Sequence, residues 1–296
     1  MAGRPGTLYL VATPIGNLED ISLRALRILR EVNVIAAEDT RHTRKLLTHH
    51  RIPLRLVSLH EHNERARTPA LIARLRGGES VALVSDAGTP ALSDPGGEVV
   101  RAAAAAGIAV VPIPGPSAFL AALVVSGLPA TPVTFLGFLP RKRGDLLRLL
   151  EGARTLPHTV VLYESPHRLL DTLRLLQKYI GDRRIAVARE MTKVHEEVFR
   201  GRVNEAIEHF STHLPRGEFT LVLEGASGAG GAAPPGEPRP EEDAARAREA
   251  ARSMLRSALA EHVAPFDAVR RAAQASGLRR NEVYRLWLAM KQETVR

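Results

Sequence analysis

The strongest constraint on the fold is a regular alternation over residues 8–113, where short β-branched runs are separated by amphipathic segments. The strand-like runs are Leu8–Ala12, Val32–Ala37, Arg55–Leu59, Val81–Ser85 and Ile108–Ile113. The helix-like segments between them are Ser22–Arg30, Thr40–His50, Glu64–Arg76 and Gly97–Ala106. This β–α–β–α order predicts a mainly parallel sheet with helices on both faces.

A second α/β block follows the Pro- and Gly-rich segment at 112–116. Its predicted strands are Val133–Leu136, Thr159–Tyr163, Arg184–Ala188 and Glu218–Glu224. Its predicted helices lie near Gly144–Ala153, Pro166–Ile180 and Val203–His213. We therefore expect an α/β protein with one α/β domain at residues 1–130 and a second at residues 131–225.

The remainder of the chain differs in composition from these two blocks. Residues 226–240, ASGAGGAAPPGEPRP, offer almost no side chain for a core, which predicts a flexible linker. Residues 241–296 are predicted to form a helical C-terminal domain. Its helical segments are Glu241–Glu261, Pro265–Ser276 and Arg279–Gln292, with Gly277 ending the second.

The segment Phe266–Trp287 allows two interpretations. It is similar to a helix-turn-helix, and an arginine cluster would suit contact with RNA. The arginines are Arg270, Arg271, Arg279, Arg280 and Arg285. The alternative is a helical hairpin that packs its apolar side chains together. Those side chains are Phe266, Val269, Val283, Leu286 and Trp287.

Composition excludes several classes of protein. The sequence has no cysteine, so disulfides and cysteine–zinc sites are excluded. Gly127, Pro129 and Pro132 interrupt the longest apolar stretch, so no membrane span is predicted. The first apolar run, Leu8–Ala12, is too short for a signal-peptide core, and we expect a cytoplasmic protein. The net charge of +9 suits a phosphate-rich partner.

Two common nucleotide-binding motifs are absent from the sequence: G-x-G-x-x-G after the first strand and G-x-x-x-x-G-K-[ST]. The metalloprotease motif H-E-x-x-H is absent as well. The nearest metal-like cluster is His60-Glu61-His62, and such a triplet is more often a polar loop. No metal site is predicted.

Three loops rich in Gly and Pro follow predicted strands, at Ala12–Asn17, Asp86–Pro90 and Pro114–Ala118. Ligands of parallel sheets bind outside the carboxyl ends of the strands. Glycine allows a ligand to approach the backbone, and proline holds a loop rigid. Three such loops at one sheet edge predict a ligand site there.

Seven motifs occur in order over residues 7–225. They are ATPIGNLEDIS at 12–22, AEDTRHT at 37–43, LHEHNE at 59–64, SDAGTPALSDPG at 85–96, PIPGPSA at 112–118, GFLPRK at 137–142 and YESPHR at 163–168. Together they resemble the ribosomal RNA methyltransferase branch of the tetrapyrrole-methylase-like superfamily. In the C-methylating and diphthamide branches a glycine-rich G-x-G-P-G type sequence is usual at the first loop, where this chain has Thr13–Asn17. That departure favours the RNA branch.

The resemblance implies two α/β domains of the tetrapyrrole-methylase type with the ligand cleft between them, plus a small C-terminal helical domain. It implies transfer of a methyl group from S-adenosylmethionine to the ribose 2′-oxygen of a cytidine in 16S ribosomal RNA, in the decoding region of the small ribosomal subunit. A homodimer is expected by analogy. Two alternatives stay open: a methyltransferase acting on a small molecule such as a tetrapyrrole, and a ribosome-assembly factor that has lost catalysis.

The resemblance also implies a set of residues that bind the cofactor. These are Leu10, Pro14, Asp86, Ala87, Gly88, Ser117, Ala118 and, from the second block, Tyr163. Weaker members are Glu224 and the strand Thr220–Leu223 before it.

A ribose hydroxyl is weakly acidic, so a base or a charged group near it would assist methyl transfer. The catalytic and substrate-aligning candidates are Glu38, Asp39, Arg41, Glu190 and Lys193, together with His60, His62 and Asn63. For the first three the alternative is an acid pair and salt bridge at a helix N-terminus. The two histidines can equally be surface loop residues. Arg141, Lys142 and Arg143 form a short basic run beside the interdomain region, which either holds phosphates or is a solvated loop.

Overall fold

The computed structural model describes residues 5–213, 215–226, 241–260, 263–278 and 280–294. The predicted linker at 226–240 lies outside the described residues except for Ala226, whose N–H donates to the carbonyl of Leu156. Within the described residues, no helix is long and apolar enough to cross a membrane.

The first sheet is parallel throughout, as the alternation predicts, with strand order β3-β2-β4-β1-β5. Its strands are β1 (Thr7–Val11), β2 (Val34–Ala37), β3 (Leu56–Ser58), β4 (Val81–Val84) and β5 (Ala109–Ile113). The helices between them are α1 (Leu23–Glu31), α2 (Thr40–His49), α3 (Glu64–Arg76) and α4 (Gly97–Ala105), and a short 3-10 helix at Leu18–Asp20 precedes α1.

Alternation along β1 separates two cores. Leu8 packs on one face of the sheet with α3 and α4, and Val11 packs on the other face with α1 and α2. Hydrophobic burial on both faces therefore explains the near-continuous apolar runs of these strands. The predicted strand Val32–Ala37 begins two residues later, because the N–H of Val32 still closes the last turn of α1.

Glu64 fixes the loop that follows β4. Its Oε1 accepts hydrogen bonds from the N–H groups of Gly96 (3.0 Å), Glu98 (2.7 Å) and Val99 (3.4 Å). These donors belong to the first turn of α4 and have no partner inside the helix. The carboxylate of Glu64, the first residue of α3, thus joins the beginning of α4 to α3.

The second sheet is mixed, with order β6-β7-β10-β8-β9, and only β6 and β7 are parallel. The strands are β6 (Val133–Phe138), β7 (Thr159–Glu164), β8 (Arg184–Arg189), β9 (Glu197–Arg202) and β10 (Phe219–Leu223). The helices are α5 (Ala118–Val125), α6 (Arg143–Arg154), α7 (Leu169–Tyr179) and α8 (Val203–Thr212). Strand β9 is not predicted from the sequence.

Helix α5 bears on the proposed domain limits. It lies before the predicted boundary at residue 130, yet its Ala122 and Leu123 pack against Val161 and Val222 of the second sheet. The limits at 130 and 225 stay predictions, and the packing favours a first boundary near residue 117.

The C-terminal helices are α9 (Glu241–Ala260), α10 (Pro265–Ser276) and α11 (Arg280–Thr294). Gly277 ends α10 with a left-handed φ of 64°, as predicted. Val269, Val283 and Trp287 are buried together, which agrees with the hairpin interpretation. Phe266 is an exception to that prediction, because it is 70% exposed.

Candidate functional site

A cleft of about 390 Å³ lies between the two sheets. Its volume is within the range of small-ligand sites. The first domain contributes Ile15, Glu38, Asp86, Ala87, Gly88, Thr89, Leu92 and Asp94. The second sheet and its helices contribute Ala118, Phe138, Tyr163, Glu164, Ser165, Pro166, Glu218, Phe219 and Thr220. The cleft is therefore at the carboxyl ends of β1, β2 and β4, where the loop pattern predicts a ligand.

Backbone hydrogen bonds join the loops after β1 and β4. The N–H of Thr13 donates to the carbonyl of Gly88 (2.9 Å), and the N–H of Gly88 donates back to Thr13 (3.0 Å). Gly88 has a φ of +80°, a conformation that favours glycine. The hydroxyl of Thr89 donates to the carbonyl of Pro116, which brings the third predicted loop to the same place.

Three carboxylates from two loops line the cleft: Glu38 follows β2, and Asp86 and Asp94 both follow β4. Burial raises the pKa of Asp94 to about 6, and the charge of Glu38 adds to the effect. Burial also raises the pKa of Glu38, with the charge of Asp86 contributing. These two carboxyls are therefore better proton acceptors than ordinary acidic side chains.

Asp39 follows Glu38 but is not among the residues that line the cleft. Its carboxylate accepts from the N–H of Arg41 (2.8 Å) and forms an ion pair with the guanidinium (2.7 Å). The hydrogen bonds from Arg41 hold the pKa of Asp39 well below its usual range. Its own N–H donates to Asp86 Oδ1 (2.9 Å), which links the start of α2 to the cleft.

Glu190 and Lys193 lie beside the lining residue Glu218. The Nζ of Lys193 is 2.8 Å from Glu190 Oε1 and 3.0 Å from Glu218 Oε2. Burial acts to raise the pKa of Glu190, but the hydrogen bonds from Lys193 and from the N–H of Glu218, together with the charges of Lys193 and Arg189, outweigh it and lower the pKa. A Cβ on Gly16 would lie 2.4 Å from Lys193 Cγ, so this cluster touches the loop after β1.

The cleft lining includes five of the eight predicted cofactor residues: Asp86, Ala87, Gly88, Ala118 and Tyr163. Leu10 packs instead against the core between the first sheet and helices α3 and α4, and Pro14 is buried beside Ile15. Ser117 lies next to Tyr163, whose hydroxyl accepts from the N–H of Phe119 (3.2 Å). Burial raises the pKa of Tyr163.

Of the remaining candidates, Thr220 lines the cleft and the others lie outside its lining. Glu224 pairs with Arg184 near the opposite end of β10 (3.8 Å). The side chain of Asn63 accepts from the N–H of His60 (2.9 Å), which stabilises the turn before α3. The basic run at 141–143 is exposed just beyond Phe138. Among the residues that the structure describes, no group of three or more His, Asp and Glu is arranged to hold a metal ion.

The lining also contains residues that the sequence interpretation did not assign. These are Ile15, Thr89, Leu92, Asp94, Phe138, Glu164, Ser165, Pro166, Glu218 and Phe219. Asp94 lies within the motif SDAGTPALSDPG, whose second Ser-Asp pair was a usable signal. Glu164 is fully buried and accepts from the hydroxyl of Thr172 (2.6 Å) and the N–H of Ser165 (2.8 Å), so it shapes the turn after β7.

Comparison with known proteins agrees with this architecture. The family model Tetrapyrrole (Corrin/Porphyrin) Methylases matches residues 7–207. The native form of uroporphyrin III C-methyl transferase from Thermus thermophilus superposes with a TM-score of 0.54 at 22% identity, covering 74% of this chain and 97% of that one. At that identity the likeness is one of fold.

Two relatives share one name, ribosomal RNA small subunit methyltransferase I. The Synechocystis protein is 45% identical over 289 residues, which cover 97% of this chain and 99% of that protein. The Thermotoga maritima protein is 50% identical over 220 residues, which cover 74% of this chain and 99% of that protein. The chain therefore belongs to the tetrapyrrole (corrin/porphyrin) methylase family, in the group formed by the proteins named ribosomal RNA small subunit methyltransferase I.

Proposed function

We propose that the chain is an S-adenosylmethionine-dependent methyltransferase of 16S ribosomal RNA, and that it methylates the ribose 2′-oxygen of a cytidine. The observation that carries the proposal is the 45% identity, over 97% of the chain, to a protein named ribosomal RNA small subunit methyltransferase I. We propose further that the substrate is the RNA within the small ribosomal subunit, that the enzyme works in the cytoplasm, and that it is a homodimer.

The chemistry of the cleft suits this cofactor. S-adenosylmethionine carries a sulfonium and an ammonium group, and the carboxylates of Glu38, Asp86 and Asp94 provide the complementary charge. When bound, the cofactor supplies an electrophilic methyl group. Small side chains at Ala87, Gly88 and Ala118 leave room beside the backbone for its adenosine.

We assign the cofactor to Asp86, Ala87, Gly88, Ala118 and Tyr163, which line one cleft. Ser117 hydrogen-bonds Tyr163, whereas Leu10 belongs to the core of the first domain and Pro14 to the loop after β1. The protein's main task is alignment, because methyl transfer is an in-line displacement that depends on orientation. Hydrogen bonds between Thr13 and Gly88 hold the cofactor loops in a fixed geometry for that task.

The attacking ribose hydroxyl must lose its proton as the new bond forms. A carboxylate whose pKa is about 6 is charged at neutral pH and yet accepts a proton more readily than an ordinary aspartate. Asp94 is therefore the preferred proton acceptor, with Glu38 second. Asp39 orients Arg41 toward an RNA phosphate. Glu190 and Lys193, which lie beside Glu218, align the RNA.

The test is methyl transfer to small ribosomal subunits from cells that lack this gene. The purified chain and labelled S-adenosylmethionine should modify the 16S RNA, and nuclease digestion with mass analysis should yield one 2′-O-methylcytidine. Free 16S RNA is the parallel substrate. Label on a base, or on a tetrapyrrole precursor alone, would contradict the proposal. Cofactor binding without any transfer would favour the non-catalytic assembly factor.

A further inference from the structure

Two large apolar side chains in the cleft have no part in the mechanism above. Leu92 comes from the first domain and Phe138 from the second, and both line the cleft. Phe138 is 54% exposed and Leu92 is 36% exposed. A phenyl ring exposed inside a cleft offers an apolar face to a ligand, as aromatic side chains commonly do in ligand sites.

The position of Phe138 depends on an irregularity of β6. Phe135 pairs with Val161 of β7, but the next pair is Phe138 with Tyr163, so β6 contains one extra residue. In a regular strand of the same sequence Phe138 would share the face of Leu136, which packs against the core beneath α6, α7 and α8. The bulge instead puts Phe138 on the face of Tyr163, with ring centroids 5.5 Å apart. Bulges next to active sites commonly redirect a side chain in this way.

A second irregularity exposes Leu92. Its neighbours Ala91 and Ser93 both have positive φ, at 65° and 68°, which is uncommon for residues other than glycine. Ser93 also meets the other domain, since a Cβ on Gly137 would lie 2.6 Å from its Oγ. Leu92 and Phe138 therefore both adjoin a direct contact between the domains, at the wall of the cleft.

We propose that Phe138 is the platform on which the base of the target nucleotide stacks, with Leu92 as the opposing apolar contact. This inference rests on the proposed function. A nucleobase has apolar faces and polar edges, and aromatic side chains beside basic residues bind unstacked bases in single-stranded RNA. The exposed basic run Arg141–Arg143 begins three residues after Phe138, where it can contact the flanking phosphates.

The adenine of the cofactor is the competing occupant of this platform. Ala87, Gly88 and Ala118 are small side chains that suit the adenosine, whereas the ring of Phe138 is more than half exposed and adjoins the basic run. If the substrate base occupies the platform, a change at Phe138 should weaken the interaction with RNA. If the cofactor adenine occupies it, the change should weaken cofactor binding, so a pair of variants separates the two occupants.

The kinetic test compares Phe138→Leu with Phe138→Trp in the full-length protein. Loss of one base–aromatic stack costs roughly 5-fold to 150-fold. Phe138→Leu should therefore lower kcat/KM for small subunits by at least 5-fold, mainly through KM, with cofactor affinity within twofold of wild type. Phe138→Trp should restore kcat/KM to within threefold. Equal loss of cofactor affinity, or an unaltered kcat/KM in Phe138→Leu, would overturn the inference.

A photo-crosslinking test does not depend on methyl transfer. With Phe138→p-benzoylphenylalanine, irradiation of the complex with unmethylated small subunits should crosslink position 138 to one nucleotide of the 16S RNA. The control is the same substitution at Leu54, an exposed residue before β3. A single crosslinked nucleotide with an inactive wild type would contradict the proposed function but retain this inference. An active wild type with no crosslink specific to position 138 would support the proposed function but overturn this inference.

Discussion

The backbone N–H of Asn17 donates a hydrogen bond of 3.1 Å to Oγ1 of Thr192. The two residues belong to different domains, so this bond connects the loop after β1 to the loop after β8. Thr192 and Glu190 in the second loop both have positive φ, at 66° and 50°. The contact therefore holds a strained loop against the first domain, beside the cleft.

Gly16 allows the loop after β1 to approach the loop after β8 this closely. Its added Cβ in Gly16→Ala would lie 2.4 Å from Lys193 Cγ and 3.0 Å from the carbonyl of Met191, so the loop must move. We expect a loss of roughly 1–3 kcal/mol in the free energy of unfolding, as for other overpacked sites, and weaker binding of S-adenosylhomocysteine. Denaturant unfolding and calorimetry measure the two effects.

The matched control is Gly152→Ala, in the exposed part of α6 with no atom near the new Cβ. It should stabilise the protein by roughly 0.5–1 kcal/mol, because alanine is the better helix former. Equal stability and ligand affinity in Gly16→Ala and wild type would contradict the role assigned to this contact.

Asp94→Asn should make the protein more stable and less active. Folding raises the pKa of Asp94 to about 6, so at pH 8 the buried charge opposes folding. That cost diminishes as the pH falls below about 6, where the carboxyl of the folded state takes up a proton, and it disappears below the ordinary aspartate pKa of 3.8. The variant should therefore have a higher Tm than wild type at pH 8, and the difference should diminish at pH 5.

Loss of a proton acceptor should slow single-turnover methyl transfer by about 10²-fold to 10⁴-fold in Asp94→Asn. In wild type the rate should fall as the pH drops below about 6. Asp171→Asn, in an exposed ion pair of α7, is the control and should change neither property. A wild-type rate in Asp94→Asn would move the proton acceptor to Glu38.

Gly88→Ala should weaken both folding and cofactor binding, whereas a matched glycine variant outside the cleft should weaken folding alone. An alanine with a φ of +80° costs roughly 1–2 kcal/mol whatever its surroundings. Gly107→Ala has the same backbone cost, at a φ of +69° with open space around the new Cβ. Both variants should lose similar stability in denaturant unfolding, and only Gly88→Ala should lose affinity for S-adenosylhomocysteine. Equal affinities would remove the loop after β4 from the cofactor site.

Arg41→Ala should reduce the salt dependence of RNA binding. Its side chain is 88% exposed and is oriented by Asp39 beside the cleft. If it neutralises one phosphate, the slope of log K against log salt should fall by about one. Arg27→Ala removes the same charge from an exposed ion pair of α1 and should leave the slope unchanged. Equal slopes in the two variants, measured by filter binding, would assign Arg41 to helix capping alone.

Deletion of residues 227–296 should leave the cleft intact. The buried residues of the C-terminal helices, such as Leu255 and Trp287, pack with one another. In addition, 220 aligned residues account for 99% of the Thermotoga maritima relative. The truncated chain should bind S-adenosylhomocysteine like wild type in calorimetry, whereas its affinity for small subunits should fall. Undiminished affinity would exclude these helices from RNA binding.

The first sheet follows from the sequence because each strand is an apolar run bounded by an amphipathic helix. Strand β9 is different, since Glu197, Arg200 and Arg202 give it a polar composition. It forms at the edge of the sheet by antiparallel pairing with β8. That pairing is a tertiary effect, and local propensity does not contain it.

The candidate site likewise has features that the sequence predicts and features that depend on tertiary structure. Glycine and proline mark the loops around Thr13 and Gly88, because the local backbone requires them. The raised pKa of Asp94 depends on burial and on Glu38, which is distant in sequence. The orientation of Phe138 depends on one extra residue in β6. Neither composition nor periodicity reveals such properties.

The place of β10 in the second sheet has a consequence for biosynthesis. This strand pairs with β7 and β8, yet it is the last of the strands to leave the ribosome. The first sheet is complete once Ile113 has been made, but β7 and β8 keep open edges until residues 219–223 follow. Glu218, Phe219 and Thr220 also line the cleft, so the nascent chain acquires its ligand site only after almost the whole of both α/β domains has been synthesised.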